Sequence, residues 1–286
     1  MTEVNPDWSR DWPAPAKINL FLHVVGRRAD GMHQLQTVFR FLDPADMSDT
    51  LRFAPRADDA IALAQPLPGV PESSDLAHRA AMALRAASGI VRGVTISLHK
   101  RLPLGGGLGG GSSDAATTLI ALNRLWNCGL SSVELQRIGL ALGADVPVFV
   151  HGRSTFAEGV GEHFTDVLPA LAWYLVLVPP VAVPTAEIFR APELRRDTPA
   201  IAPADWRDGF GGNDLEPVAC HLYPEVQRHL DWLRALGVPA RMSGSGACCF
   251  AEFADVAAAR AAHARLPPGM SGFVARGIDR HPLATE

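Results

Sequence analysis

Ile18, Leu20, Leu22 and Val24 alternate with Lys17, Asn19, Phe21 and His23 along residues 16–25, the two-residue period of a strand. That register places Lys17 and Asn19 side by side on one face, where they serve either as edge decoration or as chemistry. Asp30-Gly31 marks a hairpin turn, and the next strand candidates are residues 35–42 and 49–53, with a weak one at 60–63. Residues 66–74 read as a loop, 75–87 as a helix capped by Asp75, and 93–99 as an alternating strand. Apolar residues lie nearly all round the helical stretch that follows Asp114, which predicts a buried helix. Ser131 with Glu134 forms a capping-box pattern for a helix to Leu142, and short strands are expected on either side of Gly159-Val160.

A second unit begins near Leu168. Its order predicts an antiparallel sheet with helices on one face: strand 173–178, helix from Thr185, helices 213–219 and 224–236, strands 240–243 and 247–253, helix 254–266, strand 272–278. Residues 197–212, rich in Pro, Asp and Gly, read as a long exposed connection. The pattern gives an α+β chain in two units, residues 1–167 and 168–286.

Composition narrows the class. At 286 residues the chain is comfortable for two domains. A net charge of −4 without a Lys/Arg stripe argues against a nucleic-acid partner. The polar first residues lack the apolar core of a signal peptide, and the longest apolar run, 168–184, is broken by four prolines and does not suit a membrane. Cys128, Cys220, Cys248 and Cys249 show neither CxxC nor zinc spacing and read as reduced thiols, which suits a cytoplasmic protein.

The candidate chemistry centres on residues 103–117, PLGGGLGGGSSDAAT, where six of the seven positions 105–111 are glycine. A glycine loop leading into a helix N-terminus gathers unpaired N–H groups and the positive end of the helix dipole, an anion site. Ser112 and Ser113 are N-cap residue types, and Asp114 places negative charge in the first turn. No Lys-Ser/Thr follows the last glycine, so this is not a Walker A loop. Gly105, Gly107 and Gly110 satisfy a dinucleotide fingerprint on paper, but residues 100–103 separate them from the preceding strand and no acidic ribose partner follows. Lys100 and Arg101 stand at the mouth of the loop. Asp145 precedes an apolar run and is a turn residue or a functional carboxylate. Ser243-Gly244-Ser245-Gly246 forms a second tight turn, commonplace in itself.

Four stretches taken in order, 15–33, 100–123, 142–152 and 242–253, resemble the signature motifs of the GHMP small-molecule kinases, over nearly the whole chain. The resemblance implies an N-terminal ribosomal S5 domain 2-like domain and a C-terminal ferredoxin-like domain, with nucleotide and substrate in the cleft between them. It implies transfer of the ATP γ-phosphoryl group, with Mg2+, to the 2-hydroxyl of a cytidine-diphosphate-linked methylerythritol in isoprenoid precursor synthesis. Homoserine and mevalonate are the alternative acceptors within the family. By the same resemblance Lys17 and Asp145 are the catalytic pair. The ATP phosphates fall to Pro103, Leu104, Gly105, Gly106, Gly107, Leu108, Gly109, Gly110, Gly111, Ser112 and Ser113, with Lys100 as a further contact. Asp75 and Leu76 fall beside adenine; Asn19, Met32, His33, Phe39 and Phe189 fall on the substrate side; Ser243 and Gly244 support the ligand. Where the family commonly has Tyr, this chain has Met32, which can still pack on a π-face. Where the family often has Asn, it has Asp75, which when ionised only accepts hydrogen bonds. The resemblance names no metal ligands and leaves monomer or homodimer open.

Overall fold

The computed structural model describes residues 7–284; the first six residues of the polar opening lie outside the described residues. The chain runs β1 (Trp12–Pro15), β2 (Lys17–Arg27), β3 (His33–Leu42), β4 (Ser48–Pro55), β5 (Ile61–Leu63), α1 (Leu76–Ser88), β6 (Val94–His99) and α2 (Gly110–Leu125). It continues through α3 (Ser132–Leu142), α4 (Val146–His151), β7 (Thr155–Gly159), β8 (His163–Asp166), β9 (Trp173–Leu177), α5 (Thr185–Arg190), α6 (Glu216–Leu222) and α7 (Pro224–Arg234). Strands β10 (Ala240–Met242) and β11 (Cys249–Phe253), helix α8 (Val256–His263) and strand β12 (Gly272–Ile278) complete it.

Two sheets organise these elements. A four-stranded sheet has the order β1-β4-β6-β5; a larger one runs β10-β11-β9-β12-β3-β7-β8, with β2 also paired to β3. The expected antiparallel sheet of the second half is therefore present, but it does not stand alone. Strand β12 pairs with β3 at Gly277↔Leu42 and Ile278↔Phe41, so one sheet crosses from the C-terminal strands into the N-terminal ones. Arg40, fully buried on β3, reinforces that joint by bonding to Asp279 and to the carbonyls of Pro169 and Gly277.

Three clusters form the core. One packs α1, α2 and α4 against the four-stranded sheet, another packs α5, α6 and α7 against the C-terminal strands, and a third fills the junction around Ile18, Phe21, Phe156 and Tyr174. Helix α2 is buried on nearly every side, as its all-round apolar sequence requires.

Three expectations change. Strand β1, spelled WPAP, is unreadable from propensity; it lies at the edge of its sheet on β4, where proline removes no needed donor. The strict alternation along β2 breaks at a bulge, because Asn19 faces Phe39 and Phe21 faces Val38, leaving Leu20 as the extra residue. Past the bulge the faces exchange, so Leu22 rather than Phe21 joins Lys17 and Asn19 over the cleft. Finally, α2 begins at Gly110 with Gly109 as its N-cap in the left-handed region, and neither serine caps it. Ser112 and Ser113 lie inside the first turn, and Asp114 follows them.

His281 gives a test of the packing. Its ring is buried edge-on to Phe41 and Phe149, Nδ1 accepts from the Leu283 amide at 3.1 Å, and Nε2 has no partner. Burial, and then the charge of Arg124, push its pKa down to about 3. The folded state thus refuses a proton that the unfolded state takes up near pH 6.5, so its stability is full above that value and falls as pH drops toward 3. Urea titrations from pH 7 to 4.5 should show wild type losing stability faster than His281→Gln, by at most about 1.4 kcal/mol per pH unit. Equal slopes would mean that the ring is not held neutral.

Candidate active site

A cleft of about 540 Å³ opens between the glycine loop, the start of β2, the middle of β3, the turn before α4 and the segment leading into α5. Lys17 lies at its floor, 2% exposed, and its ammonium has three partners: Asn19 Oδ1 at 2.6 Å, the Gly107 carbonyl at 3.1 Å and Asp145 Oδ2 at 3.1 Å. Alternation along β2 puts Lys17 and Asn19 on the cleft side, and the bulge that follows turns Phe21 into the junction core and Leu22 toward the cleft. Asn19 is fixed in turn by donating from Nδ2 to Thr37 Oγ1 at 2.9 Å, and Thr37 donates to the Phe21 carbonyl. Asp145 ends the turn after α3 at the N-cap of α4, yet its side chain makes no capping bond and remains one-third exposed toward the cleft.

The glycine loop is anchored at both ends. At its entry, Lys100 donates to Asp49 Oδ2 at 2.5 Å and Asp114 Oδ2 at 2.6 Å, while Asp49 Oδ1 accepts from the amides of Arg101 and Leu102. Burial, opposed by the Lys100 charge and helped by Asp49, pushes Asp114 up to about 7. Burial lowers Lys100, but the two carboxylates outweigh it and the net shift is upward. The Lys100 ammonium is therefore engaged by carboxylates, next to the start of α2. At mid-loop, the Gly107 carbonyl accepts from both Lys17 and Ser243 Oγ, the latter at 2.9 Å, and the Cys248 amide donates to the Gly106 carbonyl at 3.0 Å. This joins the loop to the second glycine turn. Gly244 is seated by Asn213, whose Nδ2 donates to the carbonyls of Met242 and Gly244.

The structure brings together much of the predicted site. Lys17, Asn19, Phe39, Leu76, Asp145, Phe189, Gly244 and residues 103–112 line one cleft. Ser113, Lys100 and Ser243 stand just behind the lining. Asp75 is buried, and its Oδ1 accepts from Ala77 and His78 at 2.9 and 3.0 Å; it caps α1. Met32, half exposed on the β2–β3 turn, and His33 both lie outside the cleft wall, and His33 stacks on Phe189, which does line it, with ring centroids 4.9 Å apart. The sequence did not point to Thr37 or Thr185; Thr185 shares a hydroxyl bond at 2.7 Å with Ser245 of the second glycine turn on the cleft rim. Only the pairing of β3 with β2, or of α5 with the second glycine turn, reveals them.

Fold and cleft together define a small-molecule phosphotransferase. Residues 75–153 match the family described as GHMP kinases N terminal domain, and residues 198–268 match GHMP kinases C terminal. A 4-diphosphocytidyl-2-C-methyl-D-erythritol kinase of Dechloromonas aromatica (strain RCB) is 59% identical over 273 residues, covering 96% of this chain and 98% of that one. A crystal structure of 4-(cytidine 5'-diphospho)-2C-methyl-D-erythritol kinase superposes with a TM-score of 0.80 at 34% identity, covering 94% of this chain and 99% of that one. A homoserine kinase from Cytophaga hutchinsonii shares the fold, at TM-score 0.69 and 15% identity over 95% of this chain and 94% of its own. The chain belongs to the GHMP kinases, in the 4-diphosphocytidyl-2-C-methyl-D-erythritol kinase family.

Gly107 tests the loop's anchoring. It has φ +72°, and a Cβ there would stand 2.1 Å from the Ser243 carbonyl oxygen. Gly107→Ala should displace the loop and raise the KM for ATP at least about tenfold, the strain alone being on the order of 1–3 kcal/mol. Steady-state kinetics with a parallel melting curve checks this; normal KM and melting would show that the loop does not need this contact.

Proposed function

We propose that the chain transfers the γ-phosphoryl group of ATP to the 2-hydroxyl of 4-diphosphocytidyl-2-C-methyl-D-erythritol, giving the 2-phosphate and ADP in non-mevalonate isoprenoid precursor synthesis. One observation carries the reading: a single buried ammonium, that of Lys17, touches both the cleft carboxylate Asp145 and the backbone of the glycine loop. The cation thereby ties the group that would accept a proton to the loop that would hold the phosphates.

The chemistry follows from the residue types. Phosphoryl transfer needs positioning and neutralisation of charge more than covalent help. The loop amides and the N-terminus of α2 offer donors to the β- and γ-phosphates. Asp145, within reach of the cleft, takes the proton from the acceptor hydroxyl as its oxygen attacks phosphorus. Lys17 holds Asp145 in place and offsets the negative charge that builds on the transferring group. Asn19 and Thr37 keep the ammonium aimed. Phe189 and His33 supply an aromatic face and a ring nitrogen for the cytosine, and Leu76 an apolar wall for adenine.

Mg2+ fits this site as a partner of the nucleotide rather than of a protein cage. Among the described residues no three His, Cys, Asp or Glu side chains cluster as a metal site, and Asp145 is the carboxylate on the cleft wall. Mg2+ commonly keeps its waters and binds substrate phosphates with one or two carboxylates. When bound it would neutralise phosphate charge, with Asp145 and the buried Ser113 hydroxyl, which has no partner, as the available oxygens.

The test is turnover of variants. Asp145→Asn and Lys17→Ala should each lower kcat by ~10²–10⁴-fold, with the KM for ATP changed far less for Asp145→Asn. Near-normal turnover of both would remove the assigned pair.

A further inference from the structure

Arg196, in the segment after α5, contacts neither the glycine loop nor the Lys17–Asp145 pair. Its guanidinium nevertheless joins the two side chains assigned to the cytosine. Nε donates to His33 Nε2 at 3.1 Å, Nη2 donates to the carbonyls of Phe189 and Ala191 at 3.1 and 2.7 Å, and Nη1 donates to Leu194 at 2.9 Å. The same contacts close the C-terminal end of α5, which carries Phe189, and bring it against the first residue of β3, which is His33. The two rings stack at 4.9 Å with 31° between their planes.

A guanidinium has only donors. The His33 nitrogen that faces it must present a lone pair, which places the ring proton on Nδ1 and leaves the imidazole neutral. We infer that Arg196 is a positioning residue that fixes His33 as the Nδ1–H tautomer, and so makes it an obligate hydrogen-bond donor to an acceptor on the cytosine edge. The inference rests on the proposed substrate and adds to it the direction of the bond. A donor suits the N3 and O2 acceptors of cytosine and opposes the N3–H of uracil. The charges that face the ring agree with a neutral imidazole: burial, then Arg196, then Arg27 from the end of β2, all hold its pKa below the usual histidine value.

The signature is a penalty that acid relieves. Without Arg196, neutral His33 is free to hold its proton on Nε2 and present only a lone pair at Nδ1. Protonation restores the Nδ1–H, because both nitrogens of an imidazolium donate. Arg196→Ala should therefore raise the KM for 4-diphosphocytidyl-2-C-methyl-D-erythritol about tenfold near pH 8, the scale of one lost hydrogen bond. The loss should fall on KM rather than kcat. Read as a ratio to wild type, it should shrink in acid, once the pH falls far enough below the usual histidine value for His33 to gain a proton. Arg196→Lys, which keeps a cationic donor, should recover part of the affinity. In the His33→Phe background, Arg196→Ala should cost less and show no pH dependence.

Long-range proton–nitrogen NMR of wild type assigns the tautomer directly and requires no variant. Nδ1–H in wild type with an acid-relieved KM ratio in Arg196→Ala establishes the inference. Nε2–H in wild type, or a ratio that stays level across the pH range in which the NMR of the variant shows the His33 ring gaining its proton, overturns it while leaving the reaction intact. Wild-type protein that turned over none of this substrate would instead overturn the substrate reading, and the recognition role with it.

Discussion

The site depends on one buried cation. Taking an ammonium out of water costs several kcal/mol unless its donors find acceptors, and Lys17 finds three. They come from β2, from the glycine loop and from the turn before α4, and the Lys17 amide adds a backbone bond to the Leu108 carbonyl at 2.9 Å. The Gly107 carbonyl also accepts from Ser243, whose hydroxyl accepts from the Asn19 amide at 3.3 Å, so the contacts close into a ring through the C-terminal turn. Loss of Lys17 takes the donor from Asn19 Oδ1, and loss of Ser243 takes one of the two donors from the Gly107 carbonyl. The arrangement that offsets the lysine's desolvation thus also fixes the relation between the glycine loop, Asp145 and the start of β2.

A second lysine does comparable work at the other end of the loop. Lys100 lies between Asp49 and Asp114, and Asp49 holds the two amides that follow it. A loop of glycines has large conformational entropy to lose, and this one is anchored at entry and at mid-length. Lys100, expected from the sequence as a further phosphate contact, bonds to two carboxylates at the entry of the glycine loop. Arg40 adds rigidity one layer away, where the sheet passes between the two halves of the chain.

Most of this was legible where chemistry is local. The glycine run, the capping box at Ser131 and the helix cap at Asp75 announce themselves through residue types at fixed spacing, whereas Lys17 and Asp145 stand out only through the resemblance to the kinases. What the sequence concealed depends on a partner strand or a distant loop. The bulge at Leu20 exists because of the register with β3, and it reverses which side chains of β2 reach the cleft. Gly109, not a serine, caps α2, because the loop arrives in a left-handed turn that serine would resist. Arg196 sits in a stretch with no motif, and only the folded path of residues 190–198 brings it to His33.

The central claim is that a chain built around this ring phosphorylates a cytidine-linked polyol. ADP release from Mg-ATP by the purified protein tests it most directly, with 4-diphosphocytidyl-2-C-methyl-D-erythritol beside cytidine diphosphate, homoserine and mevalonate. The account predicts turnover with the first alone. Turnover with homoserine or mevalonate instead, or bound nucleotide with no transfer to any of them, would contradict it.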